Sequence, residues 1–282
     1  MNKFYIQIAL FLLNIFAYAN NETLATEPAP GIATKTKSSI PYSTPEEIYE
    51  QNKDLLCTNP EEAKQAEELI NEAATYLEYH IKNGDYQIWG HIRPCDRTFC
   101  RKNYGDIIFQ RINYKYVNLD KYNEAINLLW DPAHANEFNN AFVKRKIVRV
   151  YNPNLVMIQQ RYRRTDLDNE KYFYALAAKI DISKEKTIIV MVSVNINDGY
   201  PSEEEYKNAL IENANLFKTN IDSDDDIRNG QLEKKVLNIG GYIIESRDWY
   251  IEFNYLEAID GHISNNKILS ISKALRKFFP SE

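Results

Sequence analysis

Apolar residues recur along this chain at two periods, and the switch between them divides it into elements. From Pro60 onward Ala66, Leu69, Ile70, Ala73, Leu77 and Ile81 repeat at helical spacing, and the stripe ends near Asn83-Gly84. Thr44-Pro45-Glu46-Glu47 and Asn59-Pro60-Glu61-Glu62 each supply a cap, a proline in the first turn and a glutamate three residues after the cap. Each therefore starts a helix. Short strands are expected around Tyr86–Ile92 and Ile107–Val117, then a helix over Leu119–Leu129 leading into Trp130-Asp131-Pro132.

Period two then takes over. Ile147–Tyr151 and Leu155–Tyr162 flank the turn Asn152-Pro153-Asn154, and Lys171–Ile182 and Thr187–Ile196 flank Ser183–Lys186. Tyr172, Tyr174, Leu176, Ala178, Ile180 and Ile182 share one face, as do Ile188, Val190, Val192, Val194 and Ile196. Ser202 to Glu205 caps a helix expected to reach Asn213, and Asn215–Ile221 is expected to rejoin the sheet. Val236–Glu245 and a return strand with Trp249, Ile251, Phe253 and Tyr255 on one side form a hairpin around Ser246-Arg247-Asp248. The final helix carries Ile268, Ile271, Leu275 and Phe278 on one face, with Lys273, Arg276 and Lys277 mostly on another. This order is α+β: a curved antiparallel sheet with helices gathered on it and a long last helix across its mouth, an arrangement that grips something apolar.

Composition narrows the function. A net charge of -6 argues against nucleic acid, and 9 glycines in 282 residues leave little for phosphate-cradling loops. The basic run Lys144-Arg145-Lys146 reads as a solvated strand end. Met1-Asn2-Lys3, the apolar Phe4–Phe16 and Ala17-Tyr18-Ala19 have the form of a signal peptide over residues 1–19, with cleavage before Asn20. Residues 20–43 are polar and proline-bearing and read as a flexible linker with a sequon at Asn21; residues 44–282 form the folded domain. Secretion permits one disulfide among Cys57, Cys95 and Cys100, and spacing does not choose the pair.

Catalytic signals are missing. Asp222, Asp224, Asp226 and Glu233 have the spacing of a calcium loop, but Ile227 stands where the turn needs glycine. His80, His91, His134 and His262 are isolated, and neither a nucleophile elbow nor a phosphate loop occurs. No enzyme activity, metal or cofactor is expected. The aromatic stock is the positive signal: Trp130, Tyr172, Tyr174, Tyr242, Trp249, Phe253 and Tyr255 fall on or beside strands expected to line the concave face. Tyr and Trp suit an interior that also meets a polar headgroup, and an aromatic cage holds a quaternary ammonium such as choline. Arg149 either meets a phosphate there or is a surface strand charge.

Trp130-Asp131, followed by strands and Tyr172-Phe173-Tyr174, resembles the corresponding blocks of START (StAR-related lipid transfer) domains. Tyr255–Ile263 resembles that family's passage into the last helix. The leader with Thr23–Pro28, then Pro45–Glu50, Leu55–Pro60, Val143–Ile158 and Tyr172–Lys179, is similar to the rodent-malaria fam-a proteins over essentially the whole chain. The resemblance implies a helix-grip fold around a lipid tunnel. It also implies secretion to the parasitophorous vacuole or host erythrocyte, and binding and transfer of phospholipid, phosphatidylcholine first, by a monomer in transient membrane contact. Tunnel residues would include Leu176 and Val192, and the last helix would be the gate. Glu170-Lys171 reverses the charges START domains often carry before the tyrosine, and Asn127 stands where phosphatidylcholine-binding members carry arginine, so the headgroup stays open. A secreted adhesion module on the same scaffold, its interior filled by its own side chains, is the alternative.

Overall fold

The computed structural model describes residues 43–92, 97–132, 143–163, 169–202, 206–260 and 265–280, with side chains of the last helix from Ile271 onward. The signal peptide, the Asn21 sequon, Cys95, His134, His262 and the Ile268 side chain lie outside the described residues.

Two capped helices lead. Helix α1 (Pro45–Gln51) opens on a capping box in which Thr44 and Glu47 bond each other's backbone N–H at 3.2 and 2.9 Å. Helix α2 (Pro60–Lys82) is capped by Asn59 Oδ1, which accepts from the Glu61 and Glu62 amides. Its expected stripe is buried throughout.

Strands β1 (Gln87–Ile92), β2 (Arg97–Tyr104) and β3 (Ile107–Tyr116) follow, then α3 (Tyr122–Trp130), β4 (Val143–Asn152), β5 (Leu155–Tyr162), β6 (Lys171–Ser183) and β7 (Lys186–Val192). β2 escaped sequence reading because Arg97, Arg101 and Lys102 obscure its alternation. Gly105, at φ 58, makes the β2–β3 turn in the left-handed region. The chain then makes β8 (Asn195–Asn197), α4 (Glu212–Leu216), β9 (Lys218–Asn220), α5 (Asp225–Arg228), β10 (Glu233–Lys234), β11 (Leu237–Ser246), β12 (Ile251–Ile259) and α6 (Asn265–Phe278).

Ten described strands form one sheet in the order β1-β2-β3-β12-β11-β7-β6-β5-β4, with β10 parallel beside β6 and the other pairs antiparallel. Two expectations fail between β7 and β11. The described residues 206–211 are not helical, because Asn208 Oδ1 accepts from the Leu210 and Ile211 amides while its Nδ2 donates to Asn238 O. Such local side-chain bonds compete with a helix. Nor does Asn215–Ile221 rejoin the main sheet; β9 pairs in parallel with β8 in a small separate sheet.

Away from its β1 edge the main sheet is buried on both faces. One face meets the α2 stripe and the β7–β11 connection; it carries Tyr172, Tyr174, Leu176, Val190, Val192, Ile243 and Leu256. The other holds Phe173, Ala175, Ala177, Met191, Tyr242, Phe253 and Tyr255, closed over by α3, Ile48 of α1 and Ile271, Ala274, Leu275 and Phe279 at and just beyond the end of α6. This second face is concave. Arg145 on β4 and Tyr255 on β12 are five strand spacings apart, about 24 Å along a flat sheet, yet Tyr242 and Tyr255 lie within electrostatic reach of the Arg145 guanidinium. The sheet must curl for that to happen. Gly241 permits a close approach within it: a Cβ there would lie 2.0 Å from the Ile189 carbonyl oxygen.

Candidate functional site

Polar groups from six elements lie on the apolar concave face. Arg145 is placed by strand parity: it alternates with exposed Lys144 and Lys146 and shares its face with Val143 and Ile147, both in the inner cluster. Its cross-strand neighbour Gln160 accepts through Oε1 from Nε at 3.1 Å and Nη2 at 2.7 Å. Burial pushes the Arg145 pKa down, and the two tyrosines oppose that shift.

Tyr242 and Tyr255 are direct neighbours across β11 and β12, their rings 4.8 Å apart and tilted by 48°. Burial raises both phenols above their ordinary range, so each stays a neutral donor. Tyr255 donates to Glu257 Oε2 at 2.6 Å. Opposite Glu257 on β3 stands Gln110, whose Nε2 is buried without a hydrogen-bond partner, as is Nε1 of Trp130 at the end of α3. Buried donors left open in an apolar interior are costly and suit a ligand's acceptors.

The residues expected from sequence divide between the two faces. Trp130, Tyr242, Phe253 and Tyr255 lie inside with Ile271 and Leu275, and half-buried Phe278 packs against the same cluster. Tyr172, Tyr174, Leu176 and Val192 do not; they pack on the opposite face, where the Tyr172 hydroxyl donates to Asp198 at 3.0 Å and the Tyr174 hydroxyl accepts from Gln159 at 2.8 Å. Their shared parity was read correctly, but parity alone does not tell which face is inner. Arg149 also lies outside. A β-bulge between Ile147 and Arg149 shifts the alternation, and its guanidinium pairs with Glu62 at 2.7 Å and donates to Asn220 O at 2.8 Å. Trp249 sits in the β11–β12 turn, 62% exposed.

Arg145 is the residue sequence reading missed. The run around it reads as surface charge, yet Val143 and Ile147 at the same parity mark it as inward. The calcium-like acids are engaged elsewhere: Asp224 with Lys146 and Arg161, Asp226 with Arg161. Cys57 and Cys100 are free thiols.

No family model matches the chain, and no curated protein matches it in sequence. Solved structures do. Human StAR-related lipid transfer protein 5 superposes with a TM-score of 0.52 at 10% identity, covering 77% of this chain and 97% of its own. The chain has the START-domain fold. Human STARD10 (TM-score 0.47, 11% identity, 73% of this chain and 74% of its own) and the lipid transfer and protein localization domain of human StarD13 (0.45, 13%, 76% and 98%) are more distant in shape. At these identities the likeness concerns the START fold, and the chemistry must come from the concave face itself.

Proposed function

We propose that this chain is a lipid carrier that encloses one phospholipid between the concave sheet and α6 and transfers it between membranes without catalysing a reaction. Phosphatidylcholine is the leading cargo. The observation that supports this is the Arg145 guanidinium inside an apolar face, beside Tyr242 and Tyr255. A guanidinium offers a phosphate two parallel hydrogen bonds, and tyrosine faces attract a quaternary ammonium. Arg145 is half-buried on this face.

The acyl chains would lie along the apolar remainder of this face, among Phe173, Ile158, Met191 and Ile244. At roughly 0.8 kcal/mol per buried methylene, two long chains represent on the order of 20 kcal/mol, so release needs an opening. Helix α6 is the proposed gate, loosening at a membrane surface. The fam-a resemblance adds secretion and delivery to the vacuole or host erythrocyte, and the carrier would act as a monomer.

Residues 20–282, purified natively and weighed intact before and after incubation with mixed phospholipid vesicles, test the proposal. One added phospholipid mass per chain supports it and names the headgroup. A chain that stays unloaded overturns it in favour of the adhesion scaffold.

A further inference from the structure

We infer that β1 and the adjoining flank of α6 form a docking surface for an anionic lipid bilayer. β1 ends the sheet, with β2 as its one strand neighbour among the described residues. It reads Gln-Ile-Trp-Gly-His-Ile, without an acid, lysine or arginine. Ile88, Trp89 and Ile92 are 68%, 38% and 38% exposed, although Trp89 rests its ring on Phe99 at 5.2 Å. Edge strands are usually blunted by charge on the strand itself. Here the charge lies beside the strand instead.

α6 carries Lys273, Arg276 and Lys277, all exposed, and residues 265–280 contain no acid, in a chain whose net charge is -6. The last residue of β1 lies next to these cations. Ile92 pairs with Arg97, Arg97 bonds Ser272, and Lys273, Arg276 and Lys277 beyond it are exposed. A strip of Ile and Trp flanked by cations on an otherwise acidic molecule complements a negative membrane: the cations draw the surface in, and the indole settles at headgroup depth. Backbone groups on the open side of β1 need water, which confines the strand to the interfacial layer.

The inference deepens the carrier reading by naming the membrane face such a protein would load from, and its test separates the two. The full chain is sedimented with phosphatidylcholine vesicles, with and without phosphatidylserine, at low and high salt. Binding is expected only with phosphatidylserine, weakening as salt rises. Lys273→Glu combined with Arg276→Glu should weaken it by about tenfold or more. Ile88→Ser should also weaken it, at unchanged melting temperature, and avoids the Trp89–Phe99 contact. Variants that bind like the wild type, or binding indifferent to phosphatidylserine and salt, would overturn the inference. So would a wild type that dimerises through β1 and ignores vesicles, since a second copy would then be the occupant. Loading is assayed separately, by intact mass after incubation with monomeric short-chain phosphatidylcholine. Vesicle binding without loading overturns the carrier and upholds docking; loading without vesicle binding does the reverse.

Discussion

Arg97 on β2 donates from Nη1 to the Ser272 hydroxyl at 2.6 Å and to the Ser272 carbonyl at 3.1 Å, fastening the middle of α6 to the sheet. Both residues are buried. The end of the helix is held differently: the Tyr114 hydroxyl donates to the Phe279 carbonyl, and the Phe279 ring stacks on Phe253 at 5.0 Å. A helix proposed to open is thus closed by one charged hydrogen-bonding group and a stack of rings.

Removing that group should loosen the helix. Arg97→Ala is expected to cost about 2–3 kcal/mol, the worth of hydrogen bonds to a charged donor, while Ser272→Ala costs less because its carbonyl still accepts. Amide hydrogen exchange over residues 265–280 should accelerate in Arg97→Ala well before β11 and β12 are affected. Exchange at the wild-type rate would show that the Tyr114 hydrogen bond and the rings hold α6 without Arg97.

Arg145 carries the proposed headgroup contact, and its neighbour supplies the control. Arg145→Met should still fold, the desolvation that an apolar side chain of similar length avoids offsetting the hydrogen bonds lost to Gln160. Phospholipid retention should nevertheless fall on the order of tenfold, matching one charge-assisted hydrogen bond of about 1.5 kcal/mol. Lys144→Met, one residue away and exposed, should change neither. Equal lipid retention by the two variants would remove Arg145 from the site.

Whether internal space exists is open to a direct substitution. Ala177 lies on the concave face, and an indole forced into a filled core there should cost about 1–3 kcal/mol or more. If the face borders space, Ala177→Trp should fold with little loss of melting temperature and no longer take up lipid. Leu176→Arg is not an equivalent test. Leu176 is fully buried on the α2 face, so arginine there should unfold the domain whatever the interior holds.

These substitutions trace what the sequence could and could not disclose. The α2 stripe was legible because one face is polar and the other meets the sheet, and helical period alone separates them. β6 was harder. Both its faces are buried, so Tyr172, Tyr174 and Leu176 alternate with Phe173, Ala175 and Ala177 by size rather than polarity. The larger set drew attention, but it belongs under α2. Arg145 faces inward and Arg149 outward for a related reason: an irregularity in the pairing resets parity between Ile147 and Arg149, and pairing register is not visible in one strand's residues. The inward placing of Tyr242, Phe253 and Tyr255 was legible because they flank a short turn that fixes the hairpin's register.

His80, near the end of α2, gives the fold a pH dependence with a definite sign. The residue is buried, its ring stacked on Phe109 at 4.4 Å, and its Nδ1 has no hydrogen-bond partner. Burial first, and Lys102 second, lower its pKa from 6.5 to about 4. The unfolded chain therefore takes up a proton at higher pH than the folded one. Stability is fully present above the unfolded value and is lost as pH falls toward 4, by roughly 2 kcal/mol once partial solvent screening is allowed for. Asp224 beside Lys146, Asp226 beside Arg161 and Glu233 beside Lys235 are held below the usual carboxylate range and add their own losses at lower pH. A single acid titration therefore mixes the two. His80→Phe, which continues the stack on Phe109 and cannot titrate, separates them. Urea unfolding at a series of pH values should show the variant gaining on the wild type between about pH 7 and pH 4, with the gap constant above and below. Parallel curves across that range would mean that His80 protonates as readily in the folded protein as in the unfolded chain.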